Sequence, residues 1–86
     1  AMKENSKKVL NYLKKLMVDV TSEDVANTIG LAKRQVDGIF TSAIQRKGLG
    51  IRVPAEIELA DGTHKQVKFL QLTPEGMAFD PDKEAE

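Results

Sequence analysis

The apolar residues change their spacing at Ile51. Before it they recur every three or four positions. From Ile51 to Leu59 they fall on every second one, with Ile51, Val53, Ala55, Ile57 and Leu59 alternating with Arg52, Pro54, Glu56 and Glu58. A spacing near 3.6 draws an apolar stripe down a helix, and a spacing of 2 draws one face of a strand. The chain therefore divides into a helical front and a stranded back. Its 86 residues suffice for one small domain, and an α+β fold is expected.

Three helices are predicted in the front part. The first starts at Ser6 as N-cap. It turns Val9, Leu10, Leu13, Leu16 and Met17 inward and Lys7, Lys8, Lys14 and Lys15 outward, with Tyr12 covering the edge of the stripe. Asp19 and Val20 connect to the second, where Thr21 and Asp24 imitate a capping box. Val25, Ala26 and Ile29 form its inward face, and Gly30 stops it. The third lies within Leu31 to Leu49. Val36, Ile39, Phe40, Ala43 and Ile44 share one stripe, while Lys33, Arg34, Asp37, Thr41, Gln45 and Arg46 occupy the opposite face. Gly48 ends it, with Arg46 and Lys47 at the negative end of the helix dipole. A short helix, a glycine turn and a longer polar-faced helix make a helix-turn-helix pattern.

The back part predicts a hairpin about Asp61-Gly62, the strongest short turn signal. Pro54 requires an edge position or a bulge. The return strand runs from His64 to Leu72, with Val67 and Phe69 on one side and Lys65 and Lys68 on or near the other. Leu70 and Leu72 break the alternation, through either a bulge or coverage of both faces. Thr73-Pro74-Glu75 starts a brief helix, with Met77 and Phe79 packing back and Asp80-Pro81 ending it. The expected domain spans 6–79, with 1–5 and 80–86 as flexible termini. Ala1 ahead of Met2 reads as an added residue. The expected core is Val9, Leu10, Leu13, Leu16, Val25, Ile29, Val36, Ile39, Phe40, Ile44, Leu49, Ile57, Val67, Phe69 and Leu72.

Charge is the next constraint. The total is zero, but residues 1–50 hold nine Lys and Arg against five Asp and Glu, and residues 51–86 hold four against eight. A basic front half suits an anion-binding surface. With no cysteine there is no disulfide framework and no thiolate metal site. No membrane span or secretory signal is visible, so the expected location is cytoplasmic.

The order helix, helix, helix, hairpin, short helix resembles a winged helix. Leu31-Ala32-Lys33-Arg34-Gln35-Val36, followed by Lys47-Gly48-Leu49, is similar to the recognition helix of bacterial transcriptional regulators of the multiple-antibiotic-resistance-regulator type. Leu72-Thr73-Pro74-Glu75-Gly76 is similar to the segment after their wing. The resemblance implies a three-helix bundle, a two-stranded wing and a short C-terminal helix, with the third helix in the DNA major groove. It implies contacts by Lys33, Arg34, Gln35 and Asp37 early in that helix, and by Thr41, Gln45 and Arg46 further along. Arg52 would open the wing, and His64 and Lys65 would sit by its tip. Ala32 departs from the Ser or Thr cap common there, Asp37 and Asp61 are acidic where cations are usual, and the long dimerisation helices are missing.

Lys33, Arg34 and Arg46 can displace counterions, and Gln35, Thr41 and Gln45 can read base edges. With the resemblance, double-stranded DNA is the expected partner and transcription regulation the expected role, for a monomer or weak dimer. The alternative is a protein-interaction module that uses the polar helix face or a sheet edge in the wing. No enzyme activity, cofactor or metal is expected. His64 is the one histidine and has no partner readable from sequence. The alternating acids from Asp80 to Glu86 lack the glycine of a calcium loop. Gly48-Leu49-Gly50 follows a helix, so it is not a phosphate loop.

Overall fold

The computed structural model describes residues 2–83. It contains α1 (Glu4–Lys15), α2 (Ser22–Ile29), α3 (Lys33–Ile39) running into a π-helical turn (Phe40–Gln45), β1 (Gly50–Glu58), β2 (His64–Leu72) and α4 (Pro74–Ala78). Mixed α+β architecture, with helices ahead of one antiparallel hairpin, is as expected. Ala1 and the tail residues 84–86 lie outside the described residues.

Local chemistry explains most boundaries. At α2, the Thr21 N–H donates to Asp24 Oδ2 at 3.1 Å and the Asp24 N–H donates to Thr21 Oγ1 at 3.2 Å, a complete capping box. Gly30 (φ +77°) stops that helix and Gly48 (φ +76°) follows the π turn. Leu31 N–H then reaches Ala26 O at 3.0 Å and Leu49 N–H reaches Ile44 O at 2.9 Å. These six-to-one bonds satisfy carbonyls left over at the helix ends.

Helix α1 departs from the expectation. It begins at Glu4 after Lys3, with no side-chain cap, so Ser6 is a buried residue inside the helix rather than its N-cap. Leu16 is already extended (ψ 142°), which takes Met17 off the inward stripe and leaves it 96% exposed. Packing also reaches past 6–79 on both sides, because Met2 and Pro81 are buried.

The third helix is not uniform. After Ile39 the ladder shifts to five-residue spacing, with Arg46 N–H donating to Thr41 O at 3.1 Å. Side chains take the carbonyls where the ladder shifts. Arg52 Nη2 donates to Asp37 O at 3.2 Å, and Ser42 Oγ donates to Gly38 O at 2.9 Å. Asp37 O accepts the Phe40 N–H as well, so the Arg52 bond adds to the backbone ladder there.

β1 and β2 pair in unbroken register from Gly50↔Leu72 to Glu58↔His64, so there is no bulge. Cross-strand partners share a face. Gly50, Arg52, Leu70 and Leu72 therefore lie together on the face that meets the helices. Leu70 is buried and Leu72 packs against the core. Val53, Ala55, Ile57, Val67 and Phe69 lie on the opposite face. They are half-buried and stand outside the core cluster. The expected core places of Ile57, Val67 and Phe69 are thus corrected. Their alternation marks one face, but the base of the ribbon seats the other on the helices. The core itself is Met2, Val9, Leu10, Leu13, Val20, Val25, Ala26, Val36, Phe40, Ile44, Leu49 and Leu70, flanked by Leu16, Ile29, Ile39 and others. Three-residue closure of the hairpin follows from Gly62 (φ +86°), with Leu59 N–H on Thr63 O at 2.7 Å.

Candidate functional site

α3 and its π turn present an uncovered stripe. Arg34, Gly38, Ser42 and Arg46 follow one another at four-residue intervals, and all are exposed. The Ser42–Gly38 hydrogen bond shows that successive members stack. Thr41 and Gln45 are exposed alongside. Among the described residues neither Arg34 nor Arg46 has an ion partner. A methyl group added at Gly38 would meet no atom within 4 Å. That glycine is therefore not required by packing, and it leaves bare backbone in the middle of the stripe.

Asp37 divides the basic residues into two sets. Its carboxylate lies 3.0 Å from Lys33 Nζ and 3.7 Å from Arg52 Nη2. Partial burial pushes the Asp37 pKa up. Hydrogen bonds from Lys33 and Ser22, with the charges of Lys33 and Arg52, outweigh this and hold it below the ordinary aspartate value. Arg52 is turned onto the core rather than outward. Its guanidinium stacks 5.0 Å from the centroid of Phe40 and donates to Gln45 Oε1 as well as to Asp37 O.

The other expected contacts are dispersed. Gln35 Oε1 accepts the Ala32 N–H at 2.9 Å and so closes the helix start that Ala32 cannot cap with its own side chain. His64 and Lys65 lie at the far end of the ribbon. His64 Nδ1 is 3.3 Å from Glu56 Oε2, while Lys65 is exposed. At the turn, Thr63 donates its N–H and hydroxyl to Asp61, which lowers the pKa of that exposed carboxyl. The structure thus leaves Arg34, Thr41, Gln45 and Arg46 exposed along α3 and its π turn. It ties Lys33 and Arg52 to the one carboxylate of Asp37. Gly38 and Ser42 complete the stripe; their four-residue spacing between Arg34 and Arg46 was the available signal.

Asp37 carries a pH prediction. A carboxyl with a depressed folded pKa stabilises the fold above its unfolded pKa and loses that contribution as pH falls through the folded value. Acid unfolding followed by circular dichroism should therefore show a smaller loss of stability below about pH 4 for Asp37→Asn than for the parent.

Among the described residues no group of three or more His, Cys, Asp or Glu could hold a metal ion, and no helix is long and apolar enough to cross a membrane. Comparison with known proteins finds no matching family model, no similar curated protein and no similar solved structure.

Proposed function

We propose that this domain binds double-stranded DNA as a winged helix and serves as the DNA-contacting part of a transcriptional regulator. The observation that carries the reading is the exposed stripe with an unmatched guanidinium near each end. Arg34 and Arg46 are twelve residues apart, so they stand on the order of 18 Å apart along the axis. Each meets a backbone phosphate, for which a guanidinium offers several donors. Between them Thr41, Ser42 and Gln45 reach base edges, and Gly38 lets the duplex approach the helix backbone closely. Lys65 adds a phosphate contact from the ribbon. Phe40 beneath the stripe fixes its position.

Fluorescence anisotropy with a labelled random duplex tests this. About three phosphate contacts predict a slope near −3 in log affinity against log salt. Arg34→Ala and Arg46→Ala should each weaken binding about five- to tenfold and leave thermal unfolding unchanged, because exposed side chains away from packing contribute little to stability. Unchanged binding in both variants would refute the assignment.

Gly38→Ala separates binding from folding. Its position is helical and open, so the substitution should stabilise the domain by about 0.5–1 kcal/mol. It should also weaken duplex binding, since the added methyl group stands in the contact surface. Chemical denaturation and anisotropy on the same variant read the two effects.

A further inference from the structure

We infer that Gln45 selects guanine over adenine in the bound duplex, because Arg52 holds its amide as a donor. The inference rests on the duplex reading above and gives that site a base preference.

A free glutamine offers a carbonyl acceptor and an N–H donor side by side. Adenine presents the matching pair in the major groove, an N6 amino donor beside the N7 acceptor, so an unrestrained glutamine takes adenine with two hydrogen bonds. Gln45 is restrained. Arg52 Nη1 donates to its Oε1. Arginine has donors and no acceptor, so the amide atom that faces it is the oxygen. The Nε2 group is then the free end of an exposed side chain, and no acceptor meets it among the described residues.

The arginine is itself fixed. Its Nη2 donates to Asp37 O at 3.2 Å and lies 3.7 Å from Asp37 Oδ1. Its guanidinium stacks 5.0 Å from the centroid of the fully buried Phe40. Arg52 comes from β1 and Gln45 from the π turn. The ribbon thus sets the hydrogen-bonding character of a side chain on the helix, and Arg52 is a positioning residue that acts through Gln45. A bond from a cation is stronger than one between neutral groups, and it polarises the amide toward donation.

The bases then rank by the acceptors they show. Guanine presents two, O6 and N7, while thymine presents O4 beside a methyl group. Adenine presents N7 next to its amino group, and cytosine presents an amino group alone. The second lone pair of Gln45 Oε1 does not restore adenine. An amino donor brought to it would stand beside the guanidinium charge, which favours the acceptors of guanine instead. Gln35 is engaged in the same way, with its Oε1 on the Ala32 N–H at 2.9 Å. Both glutamines therefore present donors.

The test is selection at low salt from duplexes with about ten randomised base pairs, roughly one turn, and sequencing of the bound fraction. The parent should enrich guanine over adenine about fivefold or more at one position. Gln45→Met should level that position. Arg52→Met keeps an unbranched apolar chain over Phe40 and frees the amide, so the same position should turn to adenine. Circular dichroism checks that this half-buried variant folds. A second measurement needs no change at Arg52. Replacing the selected guanine by 7-deazaguanine removes the N7 acceptor, and this should weaken the parent about threefold or more but not Gln45→Met. Three results would overturn the inference and leave the duplex reading standing: adenine at the position that Gln45→Met levels, no position that answers to Gln45→Met, or an unchanged guanine preference in folded Arg52→Met. No enrichment of any duplex would overturn both.

Discussion

Phe40→Ala is expected to lose about 3–5 kcal/mol of folding stability, a large part of the total for a domain of this size. Phe40 heads the largest fully buried side chains. It joins the third helix to the base of the ribbon. A methyl group added at Gly50 would come within 2.8 Å of its ring, and the Arg52 guanidinium stacks on it at 5.0 Å. Truncation leaves a cavity and removes the surface that orients Arg52. The hydrogen bond from Arg52 to Asp37 O then loses its support. Thermal unfolding should shift down by about 20 °C or more. Phe40→Leu, which retains most of the volume, should lose less than half as much.

Gly76→Ala should be nearly as severe for a different reason. Gly76 lies in α4 without a positive φ, so conformational freedom is not at issue. Its neighbour is. An added Cβ would sit 1.9 Å from Leu49 O, a backbone atom. That carbonyl accepts the Thr73 N–H at 3.0 Å, while the Thr73 hydroxyl donates to Gly48 O at 2.8 Å and accepts the Gly76 N–H at 3.1 Å. The alanine must push α4 off this clasp. Overpacking usually costs about 1–3 kcal/mol, and a backbone collision this close should reach about 3 kcal/mol or more. Urea denaturation should give a lower midpoint. Thr73→Ala, which removes only the clasping hydroxyl, should cost about 1 kcal/mol.

What could be read from the chain was what short-range chemistry decides. The Thr21–Asp24 box, the Gly30 and Gly48 stops, the Asp61-Gly62 turn and the Thr73-Pro74 start all depend on neighbours within a few residues. The π turn was not readable. Nor was the hydrogen bond beside it, from Arg52 to Asp37 O across 15 residues of chain. The orientation of the ribbon was hidden for a related reason. Ile57, Val67 and Phe69 announce an apolar face, but Leu70 and Gly50 decide which side meets the helices, through contacts with Val20, Phe40 and Ile44. Pro54 left edge or bulge open, and the unbroken register answers with the edge.

The candidate site divides in the same way. Spacing alone set Arg34, Thr41, Gln45 and Arg46 on one polar face, and they are exposed there. The pairing of Arg52 with Asp37 needed three dimensions, since Arg52 comes from β1. Gly38 carries opposite meanings at the two levels. In the sequence it only weakens a helix, whereas in the fold it bares the centre of the exposed stripe.

The central claim is that this stripe receives a duplex. A chemical-shift map of the labelled domain, titrated with random duplex DNA at low salt, tests it most directly. The account predicts the largest shifts at Arg34, Gly38, Thr41, Ser42 and Arg46, smaller ones at Lys65, and loss of all of them on adding salt. Shifts confined to the ribbon or to α1, or none with any duplex at low salt, would contradict it.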